Sequence, residues 1–150
     1  MVKIICHLRK FLRGRYFPFI PFLFKYSRFS GMIEALVDTG SPFTVLSTSD
    51  ALKLKLPITK MRSGEPVSVA GFRFFNHQLN NVTLVFRTED GKIFTLSHLK
   101  VGVLIPTKID KKTLEEVKHI PSIIGNDFLE EHRFALHYDP ARKLAYLECI

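Results

Sequence analysis

A chain of 150 residues fits one domain with a buried core, and 46% hydrophobic against 24% charged residues argues against a disordered tail. Its two cysteines, Cys6 and Cys149, lie near opposite ends without a spaced pattern. That argues against a disulfide framework or a thiolate zinc site and suggests reduced thiols in a cytoplasmic protein. The net charge of +8 is concentrated, because residues 1–30 hold seven basic side chains and no acidic one, while the rest nets only +1.

Residues 1–15 read as a basic N-terminal arm, open to three readings: a flexible extension, a membrane-surface contact or a polyanion contact. The apolar run Phe17–Phe24 is too short and too proline-rich for a signal segment, and far below the ~20 apolar residues that cross a bilayer. Its prolines suit an edge or extended strand. Met32–Val37 and Phe43–Leu46 are apolar runs on either side of Asp38-Thr39-Gly40-Ser41. Ser47-Thr48-Ser49-Asp50 offers helix caps for a short helix over Ala51–Leu56, stopped by Pro57.

Val67–Val69 and Phe72–Phe74 alternate apolar and polar residues around Ala70-Gly71, a tight-turn signal. Val82–Phe86 and Ile93–Leu96 flank Asp90-Gly91, the strongest hairpin signal in the chain. Val101–Ile105 is a further strand, ended by Pro106. Asp110 caps a helix over Asp110–Lys118. Ile123-Ile124-Gly125 is strand-like, Asp127–His132 a short helix, and Phe134–Tyr138 with Leu144–Leu147 a terminal hairpin. The fold class is all-β, closed or barrel-like, with one or two short helices, and residues 16–150 form a single domain.

Asp38 ends a strand that should be buried, where a carboxylate is costly without partners. Thr39 and Ser41 supply hydroxyls, and Gly40 allows a sharp turn that brings backbone N–H groups near the carboxylate. The same four residues, taken alone, also suit an ordinary β-turn.

The wider pattern decides between them. Glu34-Ala35-Leu36-Val37-Asp38-Thr39-Gly40-Ser41-Pro42-Phe43-Thr44-Val45-Leu46-Ser47 resembles the active-site segment of retropepsin-like aspartic peptidases. Downstream, Pro121-Ser122-Ile123-Ile124-Gly125-Asn126-Asp127-Phe128-Leu129 resembles the second signature of that family. The resemblance spans about residues 17–148 and implies a closed β-barrel with one lobe per chain. It also implies a peptide hydrolase with Asp38, Thr39 and Gly40 as catalytic residues and Ser41, Ile124 and Gly125 in support, Ser41 by hydrogen-bonding the carboxylate. A flap formed by Val69, Ala70, Gly71 and Phe72 would contact the peptide substrate.

Only one Asp-Thr-Gly occurs, so the second carboxylate must come from another copy, and the implied enzyme is a homodimer. The alternative is a catalytically silent dimerisation or peptide-binding module of the same fold. Neither reading needs a metal or a cofactor. Retroviral members often pair an acidic residue shortly after the catalytic segment with an arginine after the downstream glycine. Here Pro42, Phe43 and Asn126 occupy those places, so that ion pair cannot form. His132 and His137 lack metal-ligand spacing and read as a solvated polar edge.

Overall fold

The computed structural model describes residues 1–149, so Ile150, the end of the expected domain, lies outside the described residues. In chain order the strands are β1 (Val2–Ile5), β2 (His7–Phe11), β3 (Arg15–Tyr26), β4 (Phe29–Val37) and β5 (Val45–Leu46). Helix α1 (Thr48–Lys53) and a 3₁₀ turn (Ile58–Lys60) lead to β6 (Glu65–Val69), β7 (Phe72–Arg87) and β8 (Ile93–Pro106). Then follow α2 (Lys111–Val117), β9 (Ser122–Ile124), α3 (Asn126–Glu131), β10 (Phe134–Asp139) and β11 (Leu144–Cys149). The class is all-β.

The larger sheet runs β2-β3-β4-β9-β5-β8-β7-β6, and β3 also pairs with β7. The pairings therefore close a ring through β3, β4, β9, β5, β8 and β7. The ring is not a uniform barrel, because β5 meets β9 at the single pair Val45↔Ile123. A second sheet, β1-β11-β10, gathers both ends of the chain. Its buried residues Ile4, Ala145 and Leu147 face the same core as Phe22, Phe24, Phe86, Phe128 and Phe134. Rings of this core interlock, with Phe86 at 5.6 Å from Phe22 and Phe128 stacked on Phe134 at 5.8 Å.

The arm expected over residues 1–15 is folded. Val2–Ile5 pairs with β11 from Val2↔Cys149 to Ile5↔Tyr146, and His7–Phe11 pairs with β3 from His7↔Phe19 to Phe11↔Arg15. A boundary at residue 15 would cut through that hairpin. These strands need distant or following partners, so their basic sequence alone reads as an extension. Pro18 sits opposite β2 alone and Pro21 opposite β4 alone, so neither missing donor interrupts a strand paired on both sides.

Two other differences have a common cause. Phe72–Phe74 and Val82–Phe86 read as separate runs, as do Ile93–Leu96 and Val101–Ile105, yet β7 and β8 pass through all four without a break. The polar stretches between the runs hold Asn81 (φ 60°) and His98 (φ 59°), whose left-handed backbones shift the register and bend both strands together.

Candidate active site

β4 and β9 run parallel with Val37 opposite Ile124, and the next backbone bond, from Asp38 N to Ile124 O (3.0 Å), carries the chain into the loop. The loop returns through β5, whose Val45 pairs with Ile123 on the other edge of β9. Residues 38–44 therefore bridge over β9, and the two sequence signatures meet there. Asp38, Thr39, Gly40 and Ser41 lie in one loop directly against Ile124 and Gly125.

The Asp38 carboxylate is half-buried. Its Oδ1 accepts a hydrogen bond from Gly40 N (2.9 Å), and the loop closes with Ser41 N donating to Asp38 O (3.1 Å). The expected bond from Ser41 to the carboxylate is absent. Ser41 Oγ instead donates to Phe43 O (3.0 Å) and accepts from Phe43 N (3.4 Å). The nearby backbone of Phe43 competes for the hydroxyl and takes both its donor and its acceptor capacity. Thr39 is exposed and Ile124 fully buried.

Gly125 is required by close approach. A Cβ at this position would stand 2.3 Å from Phe43 O and 2.8 Å from Ser41 O, both rigid backbone atoms. Without it, Asn126 N donates to Ser41 O (2.7 Å) and Gly125 N donates to Thr44 Oγ1 (3.0 Å).

Sequence reasoning assigned no site role to Thr44 or Asp127, and these two fasten the loop. Thr44 Oγ1 donates to Asp127 Oδ1 (2.8 Å), while Thr44 N donates to Asp127 Oδ2 (3.2 Å). Phe128 N also donates to Asp127 Oδ1 (2.8 Å). A carboxylate at the start of α3 thus grips the strand that leaves the Asp38 loop. The available signal was a carboxylate two residues after the glycine, at the start of a helix, matched with a threonine just before an apolar strand.

The β6–β7 hairpin forms the opposite wall. Val67 and Val69 face Ser41, Pro42, Phe43 and Val45 across a cleft of about 320 Å³. A more polar hollow of about 430 Å³, with Glu65, Lys100 and Glu131 in its lining, continues past Phe43 and Asn76. Of the four expected flap residues only Val69 lines the apolar cleft. Ala70 and Gly71 are the exposed turn, and Phe72 packs with Val67 and Val69 against a small core of Val45, Phe74, Leu104 and Val117. Phe74 is fully buried there and Phe75 lies against the main core, so both rings serve packing rather than the cleft. His132 rests on Phe128 at 4.8 Å and His137 stacks on Tyr146 at 4.5 Å. Among the described residues no three His, Cys, Asp or Glu side chains gather in a way that could hold a metal ion.

The fold is similar to the crystal structure of a retropepsin-like aspartic protease from Rickettsia conorii, with a TM-score of 0.57 and 21% identity over 97% of this chain and 89% of that one. The retroviral protease-like domain of Ddi1 from Leishmania major aligns with a TM-score of 0.42 and 13% identity, over 78% of this chain and 79% of that one. No family model and no curated protein sequence matches the chain. The chain has a retropepsin-like fold.

Proposed function

We propose that the chain is one half of a homodimeric aspartic endopeptidase, in which two Asp38 carboxylates from two protomers flank one water molecule. The observation that carries this reading is the Asp38 loop itself. A single carboxylate, half-exposed, is held by Gly40 N in a loop whose Ser41 carbonyl and Thr44 hydroxyl are stapled to Asn126 and Gly125 at the end of a parallel strand pair. One such group cannot both activate a water and protonate a carbonyl, whereas two brought together by a two-fold axis can.

With the two Asp38 side chains at one axis, one serves as the base and its mate as the acid. The ionised Asp38 takes a proton from the water as it attacks the peptide carbonyl, and the protonated Asp38 donates to the carbonyl oxygen. Collapse of the tetrahedral intermediate breaks the C–N bond and delivers a proton to the departing nitrogen. Gly40 and Thr39 hold the loop, Thr39 by bonding across the axis. The valines of the β6–β7 hairpin, acting as the flap, favour substrates with apolar side chains near the scissile bond. No step calls for a metal or a cofactor.

A silent peptide-binding or dimerisation module of the same fold is the second reading. One observation favours it: Ser41 turns to Phe43, which leaves Gly40 N as the carboxylate's one hydrogen-bond donor among the described residues.

The test is cleavage of a denatured protein from about pH 3 to about pH 7, with Asp38→Asn alongside and sedimentation of both proteins. Cleavage by the wild type alone, from a dimer, is expected. Equal cleavage by both proteins removes Asp38 from the chemistry, and a strict monomer removes the proposed site altogether.

A further inference from the structure

We propose that the tip of the β2–β3 hairpin, from Lys10 to Tyr16, is a docking element for an anionic lipid surface. The inference stands independently of the peptidase reading. Its basis is an apolar side chain held in water by a rigid turn and surrounded by uncompensated cations.

Leu12, Arg13 and Gly14 form the tip, with φ of 41°, 58° and 71°. Three left-handed residues in succession, two of them not glycine, make a tightly specified turn, closed by Arg15 N donating to Leu12 O (3.3 Å). The root is braced below it. Phe11 meets Phe17 and Phe19 edge-on at 5.9 and 6.0 Å, and Tyr138 Oη donates to the Tyr16 carbonyl. Despite this bracing, Leu12 is 64% exposed and Tyr16 41% exposed. A hairpin this well fixed presents its leucine outward.

The charges around it are divided in purpose. Arg9 is committed to Glu34 by a two-pronged pair, Nε to Oε1 at 2.7 Å and Nη2 to Oε2 at 2.9 Å. That hydrogen bonding holds the Glu34 carboxyl below its usual range. Lys10, Arg13 and Arg15 have no acidic partner among the described residues. No acidic side chain occurs within residues 1–30 to offset them. These three cations fall within six residues of one hairpin tip and are all exposed, so an anionic surface attracts them together.

The choice of lipid over nucleic acid rests on the apolar groups. Stacking of bases needs open aromatic faces. Here Lys10 Nζ stands over the Tyr16 ring at 5.7 Å, and Phe11 and Phe17 are half-buried and edge-on to each other. Leu12 offers nothing to a base but gains by entering the boundary between headgroups and acyl chains. Tyr16, with an apolar ring and a polar end, suits the headgroup layer.

The test is co-sedimentation of the full chain with vesicles of phosphatidylcholine, and with vesicles in which about 30% of the lipid is phosphatidylserine. Binding is expected only to the anionic vesicles and should weaken with salt. Each cation near such a surface is worth roughly a fivefold change in affinity, so the Arg13→Gln/Arg15→Gln double variant should bind roughly 25-fold more weakly. Leu12→Ser should weaken binding with the salt dependence preserved. Lys111→Gln/Lys112→Gln on the exposed face of α2 is the control and should bind like the wild type. Equal retention by both vesicle types, or an unchanged affinity in the double variant, overturns the proposal. So does tighter binding of a single-stranded oligonucleotide, lost in the same double variant, which would make the tip a nucleic-acid contact.

Discussion

Thr44 is 7% exposed, and its hydroxyl works in both directions, accepting from Gly125 N and donating to Asp127 Oδ1. Replacing it with valine keeps the shape and removes both bonds. The buried Gly125 N then loses its partner, and a buried donor left unpaired costs more than an average hydrogen bond contributes. Thr44→Val should therefore lower unfolding stability by about 1–3 kcal/mol in urea denaturation. Thr44→Ser, which retains the hydroxyl, should recover most of the loss. The same bonds fix the exit of the Asp38 loop, so under the peptidase reading cleavage activity should fall further than stability alone explains. The pair was hard to find in the sequence because its members join only after β9 enters between β4 and β5. Asp38-Thr39-Gly40, in contrast, is a local turn, with Gly40 N donating to Asp38 Oδ1 two residues back, and it stood out once the downstream Pro121–Leu129 segment was set beside it.

At the scale of elements, legibility followed the range of the interaction that fixes each one. The Asp110 cap was legible because Asp110 Oδ1 accepts from Thr113 N three residues on (2.7 Å). The turns at Ala70-Gly71 and Asp90-Gly91 were legible because their conformations are set within the turn. β1 was not legible, since Val2–Ile5 becomes a strand only against the far end of the chain. The Ala70-Gly71 turn carries a prediction of its own. Both residues are left-handed, with φ of 52° and 83°, which a two-residue hairpin turn demands and which alanine adopts reluctantly. Ala70→Asn should raise stability by about 0.5–1 kcal/mol, and Gly71→Ala should lower it by about 1–2 kcal/mol, read from denaturant midpoints. The two changes leave buried packing alone, because neither residue contributes to the core beneath Phe74. Under the flap reading, they should also move KM or kcat in opposite directions.

For the whole molecule, the decisive question is whether chemistry needs two chains. The fold supplies one Asp38 per chain, with β1 and β11 paired in the β1-β11-β10 sheet and the Asp38 loop on the separate, ring-forming sheet. No helix among the described residues is long and apolar enough to cross a membrane. If two carboxylates share one proton across a two-fold axis, a dimer with a single intact Asp38 has no acid to set against its base. Wild-type protein unfolded together with an equal amount of Asp38→Asn and refolded should then give about one quarter of its dimers with both carboxylates. Activity per wild-type chain should fall to about half, and continue down as the variant is increased. A monomeric enzyme would keep full activity per wild-type chain at every ratio, because no variant chain would enter its site. The mixing curve reports on the shared site directly, and it does so without any assumption about which substrate the enzyme prefers.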